Sequence, residues 1–240
     1  MSTSPVNDVD AARPVGVVYV TGGSSGLGAA VAAAVVRAGG TAAVIDRVEP
    51  EDPQIPHAVA DLADSGAAAA AVQDLVDRVG PPDAVVTAAG TDACGPLSGV
   101  PAQDWERVVR VNLFGTAAVI RAALPHLEDR HGRVVTVAST LGLKAVGDAT
   151  AYCASKFAVV GFTRSLATEL AGRVGVTLLV PGGMRTRFFD GRTEQYRPGP
   201  DAPLNDPEDV AATVVLALQQ PPGCEVRELV VASSTEPSWP

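Results

Sequence analysis

Lysine is almost missing from this 240-residue chain. Of its 18 basic residues 16 are arginines, and the two lysines are Lys144 and Lys156. A position that keeps lysine against so strong a bias invites a chemical explanation. Cysteine is scarce as well. Cys94, Cys153 and Cys224 are far apart and odd in number, which speaks against a disulfide framework or a zinc site and fits a reducing cytosol. His57, His126 and His131 lack metal-ligand spacing, so no metal is expected. No block is an unbroken apolar run long enough to span a bilayer, and residues 1–14 lack the charged-then-apolar design of a signal peptide. The expectation is a cytoplasmic protein with no membrane partner. Positive charge is in deficit too: the net charge of −9 disfavours nucleic acid, which wants a basic face.

What the chain does have is a glycine turn. A β-branched run, 15–21, stops at Gly22, Gly26 and Gly28, and an alanine-rich segment follows at 29–38. That reads as strand, tight turn, helix. Glycine permits positive φ and close backbone approach. The turn therefore leaves bare N–H groups at a helix N-terminus, where a pyrophosphate can sit. The spacing is Thr21-Gly22-xxx-Gly26-x-Gly28, with Ser24, Ser25 and Leu27 inside it. It is not GxGxxG, and a glycine-rich turn that binds nothing is the plain alternative.

Strands and helices alternate beyond it. Strands are predicted at 41–46, 57–60, 83–88, 133–138, 174–180 and 226–231, and helices at 67–79, 102–127, 151–171 and 207–219. Residues 184–207 read as irregular. This pattern predicts an α/β fold: a single-domain, doubly wound, Rossmann-like parallel sheet of about seven strands with helices on both faces. The domain runs from 15 to 231, between a loose N-terminal tail (1–14) and a polar C-terminal tail (232–240). Ligands bind beyond the carboxyl ends of such strands, so the glycine turn, Asp46, Gly90, Ser139 and Pro181-Gly182-Gly183 should share one crevice.

Tyr152 and Lys156 fall four apart on a predicted helix, hence on one face, about 5–6 Å apart at Cβ. A phenol with a pKa near ~10 is a poor base at neutral pH, but an adjacent ammonium favours the phenolate. At ~4 Å and an effective dielectric of ~20 the attraction is about 4 kcal/mol before desolvation. A downward shift of about one to three units is expected, which brings the tyrosine toward acid–base work. Ser139 ends the preceding strand and adds a hydroxyl able to hold a substrate oxygen as charge develops. No side chain supplies a hydride, and the glycine turn points to a nicotinamide cofactor for it.

Taken together these motifs resemble the short-chain dehydrogenases/reductases in their short, single-domain form, from about residue 15 to 231. In order they are TGxxxGxG at 21–28, Asp61-Leu62, Ala89-Gly90, Asn112 within Val111-Asn112-Leu113-Phe114-Gly115, Ser139, Tyr152 with Lys156, and Pro181-Gly182 with Thr186. The resemblance implies hydride transfer between C4 of a nicotinamide and the carbon of a secondary alcohol or ketone. It implies Tyr152 as acid–base residue, and Lys156 as the group that lowers its pKa and holds the nicotinamide ribose. Ser139 would orient the substrate oxygen, and Asn112 would sit at a helix irregularity and anchor a water leading to Lys156. Asp61 and Leu62 would meet the adenine; Pro181, Gly182, Gly183, Met184 and Thr186 would meet the nicotinamide end. It also implies a homo-oligomer, tetramer or dimer, built on the two long helices.

Two departures stand out. The family's Asn-Asn-Ala-Gly reads Thr87-Ala88-Ala89-Gly90 here. Ala88 lacks the amide that ties this strand to the cofactor side, and Thr87 faces the other way, so an altered adenosine pocket is expected. The C-terminus lacks a glycine-rich closing segment, and Trp239 is expected either on a neighbouring subunit or loose.

Asp46 ends the second strand at the spacing where a carboxylate meets the adenosine ribose, and it would repel a 2′-phosphate. NAD is the expected cofactor. Arg47 could pair a phosphate, which makes an NADPH-dependent ketoreductase the runner-up. An epimerase or dehydratase on the same scaffold would usually have a longer C-terminal portion, and a dinucleotide sensor without catalysis is the rival from another class. Leu141, Leu143, Val146, Phe188 and Phe189 predict a mainly apolar substrate pocket. Arg185, Arg187 and Arg192 either hold an anionic group or are solvated surface residues.

Overall fold

The computed structural model describes residues 13–221 and 223–239. Most of the expected N-terminal tail lies outside them. Arg13 is described, and it lies against the body through hydrogen bonds to the carbonyls of Gln219 (3.1 Å from its N–H) and His131 (2.8 Å).

Seven short strands alternate with helices: β1 (Val17–Thr21), β2 (Thr41–Asp46), β3 (His57–Val59), β4 (Ala84–Thr87), β5 (Arg133–Val137), β6 (Gly175–Pro181) and β7 (Glu228–Val231). All pair parallel, in the order β3-β2-β1-β4-β5-β6-β7. Strand order reverses between β1 and β4, and the crevice for a ligand opens at that switch point.

The alternation of side chains along each strand feeds two cores. Val18 and Val20 of β1 face α1 (Gly26–Arg37) and α6 (Pro207–Leu218). Tyr19, between them, faces α2 (Ser65–Val79), and its hydroxyl donates to the Gly80 carbonyl at 2.7 Å. Strands buried on both faces carry near-continuous apolar runs, as Val17–Thr21 does.

The 102–127 segment, expected as one long helix with an irregularity at Asn112 implied by the resemblance, is three pieces: α3 (Ala102–Val109), a π-helical turn (Arg110–Gly115) that contains Asn112, and α4 (Thr116–Glu128). A side chain at Gly115 would come within 2.7 Å of the Leu62 carbonyl oxygen, so this helix approaches the β3–α2 connection with no room to spare. The combined run Ala102–Glu128 is long and apolar enough to cross a membrane by length and composition. It is not an unbroken apolar run, since Asp104, Glu106, Arg107, Arg110 and Arg121 interrupt it. Here Val119, Ile120, Ala123 and Leu127 bury one face of it against the sheet and α2.

Residues 184–207 are not wholly irregular. They form a loop closed at its base by a bridge between Met184 and Asn205, with 3-10 turns at Arg187–Phe189 and Glu194–Tyr196.

Leu127 is fully buried beneath Gly132. Leu127→Ala is expected to cost about 2–5 kcal/mol in urea unfolding. Leu216→Ala, at a position 54% exposed, should change stability by less than about 0.5 kcal/mol. Equal effects would contradict this account of the core.

Candidate active site

The glycine turn is a close-packed bend. Gly22 has φ +69°, and a Cβ there would lie 2.7 Å from the Ala89 Cα. A Cβ on Gly28 would lie 2.1 Å from the Gly22 carbonyl oxygen. The turn delivers the backbone into the first turn of α1, whose N-cap, Ser25, makes no side-chain cap and which holds no acidic residue there. An uncapped, acid-free helix start flanked by obligatory glycines fits a pyrophosphate. Leu27 is buried in the core behind the turn.

Asp46 closes β2 beside this turn. Its carboxylate accepts the Ser24 N–H at 3.0 Å and the Arg47 N–H at 2.6 Å. The Ser24 hydroxyl donates to the Val48 carbonyl at 2.7 Å. The carboxylate is thus aimed at the turn by backbone donors, whereas Arg47 is exposed.

The end of β4 is held without the missing amide. The Ala89 N–H donates to Thr21 Oγ1 at 3.1 Å, and Thr91 exchanges two hydrogen bonds with the Asn112 side chain, at 2.8 and 3.0 Å. Thr87 is buried, and its hydroxyl has no partner among the described residues. Asn112 lies in the π-helical turn and also donates to Ser155 Oγ at 2.9 Å. That bond, with Ser155 Oγ donating to the Tyr152 carbonyl at 2.8 Å, ties β4, the π-helix and α5 (Thr150–Glu169) together. Ser155 was not singled out from sequence; its signal was the small residue one turn after Tyr152.

The Lys156 ammonium is buried. It donates to the Val137 carbonyl at 2.8 Å and lies 5.6 Å from the centre of the Tyr152 ring. An added Cβ at Gly90 would sit 3.7 Å from its Nζ and 3.6 Å from Asn112 Oδ1, so Gly90 keeps open the space above both. Burial lowers the Lys156 pKa to about 8. Burial likewise pushes Tyr152 up to about 12, against the opposing effect of the neighbouring Ser139 hydroxyl. The expected lowering of Tyr152 by Lys156 is therefore corrected: loss of water dominates at both groups, and Lys156 is not among the groups that lower Tyr152. Ser139 Oγ also accepts the Leu141 N–H at 3.1 Å, which fixes the hydroxyl at the end of β5.

Several residues read as cofactor contacts have protein partners. Asp61 is ion-paired with Arg107 at 2.8 Å and accepts the Ala63 N–H at 3.0 Å; these contacts hold its carboxyl below the usual range. Leu62 is buried against Gly115. Thr186 lies over Gly26, within 3.3 Å of an added Cβ. That contact brings the 181–186 turn against the glycine turn, with Met184 packed on the core nearby.

Two features lay beyond sequence reasoning. Phe188 packs on the Tyr152 ring with centroids 5.6 Å apart. The C-terminal tail folds back over the rim: Glu236 accepts the Gly183 N–H at 3.0 Å, Thr140 and Ser238 share a hydrogen bond of 2.6 Å, and Lys144 donates to the Pro237 carbonyl at 3.1 Å. The second lysine thus serves the tail. Trp239 is half exposed at its end. Glu236→Ala should speed hydrogen exchange at the Gly183 amide about tenfold and cost about 1–2 kcal/mol in urea unfolding. An unchanged exchange rate would show that the tail does not hold this turn.

Comparison with known proteins agrees with this geometry. A sequence model of the short chain dehydrogenase family matches residues 16–197. The 2-dehydro-3-deoxy-L-rhamnonate dehydrogenase (NAD(+)) of Sphingomonas sp. strain SKA58 is 38% identical over 181 residues, 71% of this chain and 73% of that protein. The 2-(S)-hydroxypropyl-CoM dehydrogenase 3 of Xanthobacter autotrophicus is 30% identical over 229 residues, 84% of this chain and 89% of its own length. In fold, an alcohol dehydrogenase from Thermococcus sibiricus, solved with 5-hydroxy-NADP, superposes with a TM-score of 0.81 at 22% identity, covering 91% of this chain and 96% of that one. With its glycine turn, parallel sheet and Ser139-Tyr152-Lys156 cluster, the chain belongs to the short-chain dehydrogenase/reductase family and is an NAD(P)-dependent oxidoreductase.

Proposed function

We propose that this protein interconverts a secondary alcohol and a ketone with NAD(H). The observation that carries this reading is the convergence of Ser139, Tyr152 and Lys156 beside the uncapped start of α1. The bound nicotinamide supplies or accepts the hydride. The Ser139 hydroxyl holds the substrate oxygen next to the Tyr152 hydroxyl. In reduction Tyr152 gives its proton to that oxygen; in oxidation it takes the proton back. The Lys156 ammonium stabilises the phenolate left behind and donates to the nicotinamide ribose. Asn112 anchors a water that returns a proton toward Lys156.

The cofactor contacts follow the same reading. The N–H groups from Gly22 to Gly28 and the Thr21 hydroxyl region receive the pyrophosphate end. Asp46 takes the adenosine ribose, Asp61 and Leu62 border the adenine, and Ala88, Ala89 and Gly90 floor the cleft. Pro181, Gly182, Gly183, Met184 and Thr186 border the nicotinamide. NAD is favoured because the Asp46 carboxylate, steered by the Ser24 N–H, accepts ribose hydroxyls and repels a 2′-phosphate. Three unpaired cysteines fit a reducing cytoplasm. Exposed Phe114 and Phe157 on the helical face of the π-turn and α5 support association of this chain with itself through those helices.

Tyr152→Phe is expected to bind NADH as the wild type does, by fluorescence titration, and to lose about 10²–10⁴-fold in kcat; full turnover would remove Tyr152 from the chemistry. The kcat/KM for NADH should exceed that for NADPH at least tenfold, a difference of about 1.4 kcal/mol, and Asp46→Ser should narrow it; an NADPH preference in the wild type contradicts the cofactor assignment. Light scattering should give a multiple of the 24.4 kDa chain, and a single-chain particle would end the oligomer reading.

A further inference from the structure

The three arginines of the 184–205 loop each have a carboxylate partner. Arg185 pairs with Asp206 at 2.9 Å and Arg187 with Glu51 at 4.0 Å, both in solvent. Arg192 donates to the Asp92 side chain at 2.7 Å, with its guanidinium over the rings of Phe188 and Phe189. The turn that leads into this loop is held differently. Gly182 and Gly183 follow one another where β6 ends, and neither has a side chain to pack. Glycine has the most backbone freedom to lose, so the turn depends on its hydrogen bonds. The Gly182 N–H donates to the Val231 carbonyl at 2.9 Å, and the Gly183 carbonyl accepts the Asn205 N–H at 2.9 Å. The Gly183 N–H donates to Glu236 at 3.0 Å, the one side chain among these three partners.

Glu236 spends its carboxylate on neutral donors. Besides Gly183 it accepts the Ser238 N–H at 3.2 Å and the Ser238 hydroxyl at 2.5 Å. The Ser238 hydroxyl in turn shares its 2.6 Å bond with Thr140, the residue after Ser139. One carboxylate therefore links the turn after β5 to the turn after β6. Gly182 leaves the room for it: a Cβ there would lie 2.4 Å from Glu236 Oε2. Resting on the cofactor reading above, in which the 181–186 turn borders the nicotinamide, we infer that Glu236 is a positioning residue for the nicotinamide half of the bound cofactor. It holds the Gly182-Gly183 turn at a set distance from the turn that carries Ser139. Without it the glycine turn is free in the unbound protein, and binding must bear the cost of ordering it. The adenosine and pyrophosphate half rests on Asp46 and the start of α1 in the same reading, and feels no change. The role belongs to hydrogen bonds and not to charge, because a glutamine can turn its oxygen to Gly183 and its amide to the Ser238 hydroxyl.

The test titrates the full-length protein with NADH and with ADP-ribose, which lacks the nicotinamide, by isothermal calorimetry. Glu236→Ala should raise the Kd for NADH about tenfold, the worth of one hydrogen bond to a charged group. It should leave the Kd for ADP-ribose within about twofold of the wild type, which also shows that the variant is folded. Glu236→Gln should stay within about threefold of the wild type for both ligands. Thr235→Ala, at an exposed position of the same tail, should change neither. Equal losses for NADH and ADP-ribose in Glu236→Ala would mean that the residue serves stability alone, and an unchanged NADH affinity would mean that it positions nothing; either result overturns the inference. A glutamine variant as weak as the alanine variant overturns it too, since the hydrogen bonds would then not be the cause. A wild type that binds ADP-ribose but gains nothing from the nicotinamide overturns this role and leaves the dinucleotide site standing. A wild type that binds neither NADH, NADPH nor ADP-ribose ends the cofactor reading itself, and this role with it.

Discussion

A single buried ammonium organises the site. Lys156 leaves water to donate to the Val137 carbonyl at the end of β5. Taking a charge out of water is expensive, and here the cost appears as a pKa pulled down to about 8. What surrounds the ammonium is shaped to keep it there. Gly90 leaves space above it, and Asn112 lines that space with a carboxamide. The π-helical turn brings Asn112 to this point, and Gly115 at its end lets the turn lie against Leu62. In a chain that otherwise uses arginine nearly throughout, a guanidinium at this position would resist losing its proton, whereas an ammonium shifts readily.

The sheet order supplies the rest of the geometry. β1, β4, β5 and β6 are neighbours though their carboxyl ends are far apart in sequence. Their ends carry the glycine turn, Gly90, Ser139 and the Pro181-Gly182 turn respectively, so a parallel sheet alone is enough to collect them on one edge. Two later elements then close the rim. The 184–205 loop brings Phe188 onto Tyr152, and the C-terminal tail brings Glu236 onto Gly183 and Ser238 onto Thr140. The loop is fastened by its Met184–Asn205 bridge, by ring packing and by the Asp92–Arg192 pair, and the tail by side-chain bonds to distant residues.

What could be read from sequence was local. The glycine turn, the Tyr152–Lys156 spacing and the alternation of strands and helices each sit within a few residues, and each depends on backbone freedom or periodicity. The π-helical turn was legible only through the family resemblance, which places Asn112 at a helix irregularity; the pattern of residues 102–127 is continuously helical, and the interruption answers to Leu62 and to Asn112's partners across the fold. The direction of the Tyr152 shift was misjudged for a similar reason: helix spacing gives the distance to Lys156, but not the burial that dominates at Tyr152. The Asp92–Arg192 pair and the Glu236 contact join residues 100 and 53 positions apart, beyond any motif. Ala88 illustrates the opposite case. Its missing amide was visible, but the replacement, Thr21 and Asn112 holding Ala89 and Thr91, was not.

Because the chain has only two lysines, the central claim can be tested on one atom. A protein labelled with ¹⁵N at the lysine side chains gives two Nζ signals, and Lys156→Gln identifies one of them by its disappearance. In the cofactor-free protein the Lys156 signal should titrate with a midpoint near 8. A midpoint at the ordinary lysine value of about 10.4 would mean that the ammonium is solvated, and the buried charge on which this account of the site is built would not exist.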